Sequence, residues 1–164
     1  MGCDIHLFTE RKINGSWVNL NSDLGVDRCY TLFAILADVR NYDNNIPINQ
    51  AKGIPADASK QYLDAVEDKG SYGHSHSYLT LQEILDYLPD AKVKYSGMIS
   101  KDQAEKLDAG ELPTSWSQST NAPDYVYREW FDNNGNLISL VENMKLLQCN
   151  VGDMDIRIVF FFDN

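Results

Sequence analysis

Ile156-Arg157-Ile158-Val159-Phe160-Phe161-Phe162, close to the end of the chain, is a β-branched and aromatic run that is apolar on both faces. A strand with one wet face alternates, whereas a strand covered on both sides does not, so this run predicts a central strand. The other end of the chain does alternate. Cys3, Ile5, Leu7 and Thr9 fall on one face of an extended segment, and Asp4, His6, Phe8 and Glu10 on the other. Asn14-Gly15 then supplies the residues preferred in a type I′ turn, and Ser16 to Leu20 returns as a second strand. With strands at both ends and helical patterns between them, the expectation is a single α+β domain over residues 1–164. Its sheet should be mainly antiparallel, include both terminal strands, and pack against several helices.

The helical patterns are distinct from one another. Cys29 to Val39 is compact and apolar, with Leu32, Phe33, Ile35, Leu36 and Val39 on a broad face, and reads as a buried helix. Arg40 to Pro55 is a polar loop. Ala58 to Lys69 reads as a helix stopped by Gly70, and Ser71 to Ser77 as a loop. Thr80 and Glu83 have capping-box spacing, which starts a helix through Ile84, Leu85 and Leu88 that Pro89 should stop. Ser100 and Gln103 repeat the device for a short helix ending near Gly110. Tyr125 to Trp130 reads as a strand, with a helical reading left open. Leu137, Leu140, Val141, Met144 and Leu147 keep the spacing of a second long helix.

Composition narrows the function classes. The formal charge is −10 over 164 residues, and the longest basic cluster is Arg11-Lys12. That balance repels nucleic acid and anionic membrane, although a few arginines in one pocket can still hold a small anion. Cys3, Cys29 and Cys149 form no CxxC pair, and no secretory signal precedes them, so reduced thiols and a cytoplasmic setting are expected. No apolar run approaches the ~18 residues of a membrane span. Nucleophile elbows, phosphate loops and dinucleotide fingerprints are absent, which favours a binding protein over an enzyme.

Three polar constellations remain. His74 and His76 lie two apart, a spacing that in an extended segment points both imidazoles to one side; Asp4 and His6 share it on the first strand. If loop and strand met, Asp4, His6, His74 and His76 could enclose a zinc-like divalent ion. The second constellation is Asp38 to Asp43, where Arg40 offers a planar fork for phosphate and Tyr42 a face for a base. The plainer alternative is that Arg40 compensates the helix dipole and pairs with Asp38. The third is Asp155 and Arg157, which would share a face and could lie beside Asp4 and His6 if the terminal strands pair; a structural ion pair accounts for them equally well. Tyr72, Tyr78, Trp116 and Tyr125, in or beside loops, are further candidates for stacking surfaces.

Three segments are familiar in combination: Met1-Gly2-Cys3-Asp4-Ile5-His6, Tyr30 to Asn41, and His74-Ser75-His76-Ser77-Tyr78-Leu79-Thr80-Leu81. Together with the closing aromatic strand, they resemble a family of small uncharacterised proteins of tailed bacteriophages and prophages. The resemblance implies no activity and no site residues. It does imply a setting, the bacterial cytoplasm during phage infection, where small accessory proteins often act by sequestering a host molecule. The leading expectation is thus a ligand-binding protein, an oligomeric sponge for a nucleotide-type immune signal of cyclic or ADP-ribose type, needing no cofactor. Arg40 and Arg157 would hold phosphate, and Tyr42, His74 and His76 would contact base or sugar. The competing expectations are a metal-dependent hydrolase built on Asp4, His6, His74 and His76, and an acidic protein that inhibits a host factor by binding it.

Overall fold

In the computed structural model, which describes residues 2–88 and 92–164, the two ends of the chain meet in one sheet. The opening strand β1 (Asp4–Ile13) turns through Asn14 and Gly15, whose φ angles of 50° and 82° are both left-handed as a type I′ turn requires, into β2 (Ser16–Asn19). Four more strands follow along the chain: β3 (Gly73–Thr80), β4 (Lys92–Ser100), β5 (Tyr125–Asn133) and β6 (Ile156–Asp163). The helices are α1 (Tyr30–Ala37), α2 (Lys60–Lys69), α3 (Leu81–Tyr87), α4 (Lys101–Asp108) and α5 (Gly135–Gln148).

The main sheet has the order β2-β1-β6-β3, antiparallel throughout, so the closing strand is central as its composition implies. Both faces of β6 are covered. Ile156, Ile158, Phe160 and Phe162 join Leu32, Phe33, Leu36, Ile84, Leu140 and Met144 in the principal core, supplied by α1, α3 and α5. On the opposite face Val159 and Phe161 pack against Tyr62 of α2. A separate two-stranded sheet, β4-β5, holds a third cluster in which Ile99 and Trp130 meet Ala104 of α4.

Several sequence expectations need correction. The segment read as a loop at Ser71 to Ser77 is largely strand β3, because the open edge of β6 recruits a Gly- and Ser-rich segment of low intrinsic β propensity. Strand β4 was not anticipated. α1 ends at Ala37, with Asp38 left-handed at φ 61°, and Arg40 therefore falls outside its last turn. Asp38 does not pair with Arg40 and instead accepts from Asn41 Nδ2 at 2.6 Å and Gln50 Nε2 at 3.4 Å. The helix stop expected at Pro89 lies outside the described residues. No described helix is long and apolar enough to cross a membrane.

Candidate functional site

The register of the sheet decides which polar residues can act together. β1 and β6 run antiparallel with Asp4 opposite Asp163 and Glu10 opposite Arg157. Arg157 is therefore at the far end of β6 from Asp4 and His6, contrary to the grouping expected from the sequence. It is 3% exposed, donates to Glu10 Oε2 at 2.7 Å and Asp57 Oδ1 at 2.9 Å, and lies 4.0 Å from the centre of the Trp17 ring. Burial alone would raise the Asp57 pKa, but the bond and charge of Arg157, together with hydrogen bonds from the Asp57 backbone and Trp17, hold the carboxyl below its ordinary value. A guanidinium so enclosed serves the fold and is closed to a phosphate.

The histidines do not converge. Ser75 takes φ 50° within a β-bulge between His74 and Ser77, and this reverses the same-side expectation for His74 and His76. His74 lies over Phe162, 6.2 Å between ring centres, whereas His76 lies 5.2 Å from Phe161. Phe161 and Phe162 point to opposite faces of the sheet, so the two imidazoles do as well. His6 stacks on Phe161 at 4.7 Å, and the phenyl ring thus has an imidazole on β1 and another on β3. His6 Nε2 comes within 3.2 Å of Asp163 Oδ2, an ion-pair distance without hydrogen-bond alignment. Asp163 also accepts from Lys69 at 2.7 Å, which holds its carboxyl below the usual range. His76 Nδ1 is 3.3 Å from the Tyr62 hydroxyl, and burial lowers its pKa. Asp4 is engaged by the Arg28 fork at 2.8 and 2.7 Å. Among the described residues no three His, Cys, Asp or Glu side chains gather as a metal ion requires. The set Asp4, His6, His74 and His76 is spread over two faces of the sheet.

Arg40 and Tyr42 do share a site. Leaving α1, the chain makes a tight polar loop with left-handed residues at Asp38, Arg40 and Asn44. This loop brings Arg40 Nη1 to 3.3 Å from the Tyr42 hydroxyl and Arg40 Nη2 to 2.8 Å from Asn164 Oδ1. Asn164 Nδ2 lies 3.2 Å from His74 Nε2, so His74 reaches this cluster through one amide while His76 and Arg157 do not. Arg40 also neighbours the buried Cys3 thiol; burial pushes that thiol up and Arg40 pulls the other way. A cleft of about 400 Å³ opens here, with Arg40, Tyr42, Tyr30 and Asp43 in its walls. The hydroxyl of Ser96 bonds Asp43, and Tyr42 is 62% exposed, its ring open to a stacking partner.

A second cleft, of about 460 Å³, adjoins the first and shares Tyr30, Thr31 and Gln118 with it. Its remaining wall carries Tyr95 and Trp116 from the neighbourhood of the small sheet, and Arg28, Cys29 and Asn136. Tyr30 and Thr31 are the first residues of α1, whose N-terminus has no side-chain cap. Both volumes lie in the range of small-molecule sites, and the combination of aromatic faces with a few polar groups is typical of them. Of these residues, Arg40, Tyr42 and Trp116 were marked by the sequence. Tyr30, Tyr95 and Gln118 were not, although the alternation of Val93, Tyr95, Gly97 and Ile99 within Lys92–Ser100 is a strand signal that would have placed Tyr95. No protein family, curated protein or solved structure matches this chain.

Proposed function

We propose that this protein binds a small anionic ligand of nucleotide type in the cleft between the loop after α1 and the small sheet, and that it acts by sequestration and not by turnover. The observation that carries this reading is the grouping of Arg40, Tyr42 and Tyr30 around one cleft on a chain of net charge −10. A guanidinium suits phosphate, the tyrosine faces suit a planar ring, and the Asp43 carboxylate suits sugar hydroxyls as donors. In an infected bacterial cytoplasm, the setting that the sequence resemblance implies, such a protein would act as an oligomeric sponge that lowers the free concentration of an immune signal. His76 and Arg157, expected from the sequence to contact the ligand, lie away from this cleft, and His74 has an indirect role through Asn164.

The test is native mass spectrometry of the freshly purified protein, followed by calorimetric titration with mono- and dinucleotides, including cyclic and ADP-ribose-type compounds. Arg40→Ala should weaken binding about tenfold or more, as loss of one charge-assisted hydrogen bond would. Because Arg40 also ties down Asn164, Tyr42→Ala serves as a second variant on an exposed side chain, and thermal melting checks that both remain folded. Recovery of a chemically altered ligand, or unchanged binding in both folded variants, would overturn the reading.

A further inference from the structure

The second cleft has a construction of its own. Gly97 of β4 is in close contact with the segment that follows α4: a Cβ at this position would sit 3.0 Å from both Ser117 O and Trp116 Cδ1. The absent side chain lets Met98 and Ser117 exchange backbone hydrogen bonds of 2.8 and 3.0 Å, which pins the segment carrying Trp116 and Gln118 onto the small sheet. Trp116 is then held edge-on, 5.8 Å from Tyr95 at an interplanar angle of 74° and 5.4 Å from Trp130 at 76°. Trp130 is buried at 6% exposure, yet Trp116 is 45% exposed, in the wall of the cleft. A large indole fixed by two aromatic neighbours and left open on the cleft side loses little freedom when a second ring covers it. Beside it the Gln118 amide, which both donates and accepts, makes no hydrogen bond within the described residues and borders both clefts.

We infer that this second cleft is a base-binding subsite in which a planar heterocycle stacks on Trp116 and presents a polar edge to Gln118. The inference rests on the nucleotide-binding reading and deepens it by dividing the ligand between two places. The phosphate belongs with Arg40 in the first cleft and a base with Trp116 in the second, with Tyr30, Thr31 and Gln118 common to both and the Tyr42 face left for the second ring of a dinucleotide. Arg28 is not required for the anion, since its charge is matched by Asp4.

Three indole N–H signals, from Trp17, Trp116 and Trp130, make the subsite observable by nitrogen–proton correlation spectroscopy, with Trp116→Phe assigning the relevant peak. The probes are the four common ribonucleosides, which lack phosphate, and their 5′-monophosphates. A nucleoside should shift the Trp116 signal saturably, in the wild type and in Arg40→Ala alike, while Arg40→Ala weakens only the monophosphate. Trp116→Ala should reduce monophosphate affinity about tenfold or more, the loss expected of one base–aromatic stack, and Gln118→Ala should change the ranking among the four bases. If monophosphates bind through Arg40 while Trp116 stays silent to every probe, the base subsite is wrong and the anion site stands. If nucleosides move Trp116 but Arg40→Ala leaves monophosphate binding intact, the subsite stands and the anion assignment falls. Silence to all eight probes (four nucleosides and four monophosphates) would overturn both.

Discussion

Arg157 and His76 show how far a residue type falls short of defining a role. An arginine on a terminal strand of an acidic protein is a reasonable phosphate ligand until the strand register sets it against the fully buried Glu10. The partner of a buried charge is then forced, because an unpaired ion in that position would cost several kcal/mol. His76 is likewise a structural residue, between Phe161 and the Tyr62 hydroxyl, and its consequence is a pH dependence. Burial lowers its pKa from 6.5, with the nearby His74 acting in the same direction and the Gly73 backbone against it. Below pH 6.5 the unfolded chain thus takes up this proton before the native state does. Its contribution to stability is complete above that pH and declines as pH falls toward the depressed native value. Urea unfolding at a series of pH values should show wild-type stability falling below about pH 6.5. The difference between wild type and His76→Gln, in which the other two histidines cancel, should carry this slope; a flat difference would show that His76 is not held neutral.

At the scale of elements, local chemistry wrote some of the structure into the sequence and long-range pairing wrote the rest. The β1–β2 hairpin was legible because Asn14-Gly15 satisfies a turn with two left-handed residues, a demand met within four positions. The start of α3 was legible for the same reason. Thr80 accepts from the Glu83 amide at 3.2 Å while Glu83 Oε2 accepts from the Thr80 amide at 2.9 Å, a closed exchange between residues three apart. Strand β3 was not legible, because nothing in Gly73-His74-Ser75-His76-Ser77 favours extension until β6 offers an edge. Part of the candidate site was readable too: Arg40, Tyr42 and Trp116 advertise themselves by type. Their division between adjoining clefts depends on Gly97 and on the Met98–Ser117 contact, which no spacing reveals. The capping box provides an element-scale test. Thr80→Ala should destabilise the protein by about 1 kcal/mol, measured by urea denaturation, without moving the Trp116 indole signal. A concurrent shift at Trp116 would mean that loss of the cap is passed on through the principal core, where Val93 and Tyr95 of the small sheet meet Leu81 and Ile84 of α3.

The whole molecule presents a contradiction in charge that the proposed function must accommodate. A chain of −10 repels an anionic ligand at long range, while a guanidinium in the cleft attracts it at contact. The two effects separate by distance. Raising ionic strength from about 10 mM to about 0.1 M shortens the Debye length from about 30 Å to about 10 Å. The diffuse repulsion is therefore screened first, while the approach within the cleft, only a few ångströms, is screened less. Association is governed by the long-range field and dissociation by the contacts. Salt should consequently speed the binding of a nucleoside monophosphate over this range, by roughly twofold or more, and should leave the association of the uncharged nucleoside unchanged. Stopped-flow measurement of Trp fluorescence with both probes checks this directly. A monophosphate association rate that instead falls with salt would mean that the cleft itself dominates the field well beyond its walls. The acidic surface would then be irrelevant to ligand capture, and Arg40 would act at long range as well as at contact.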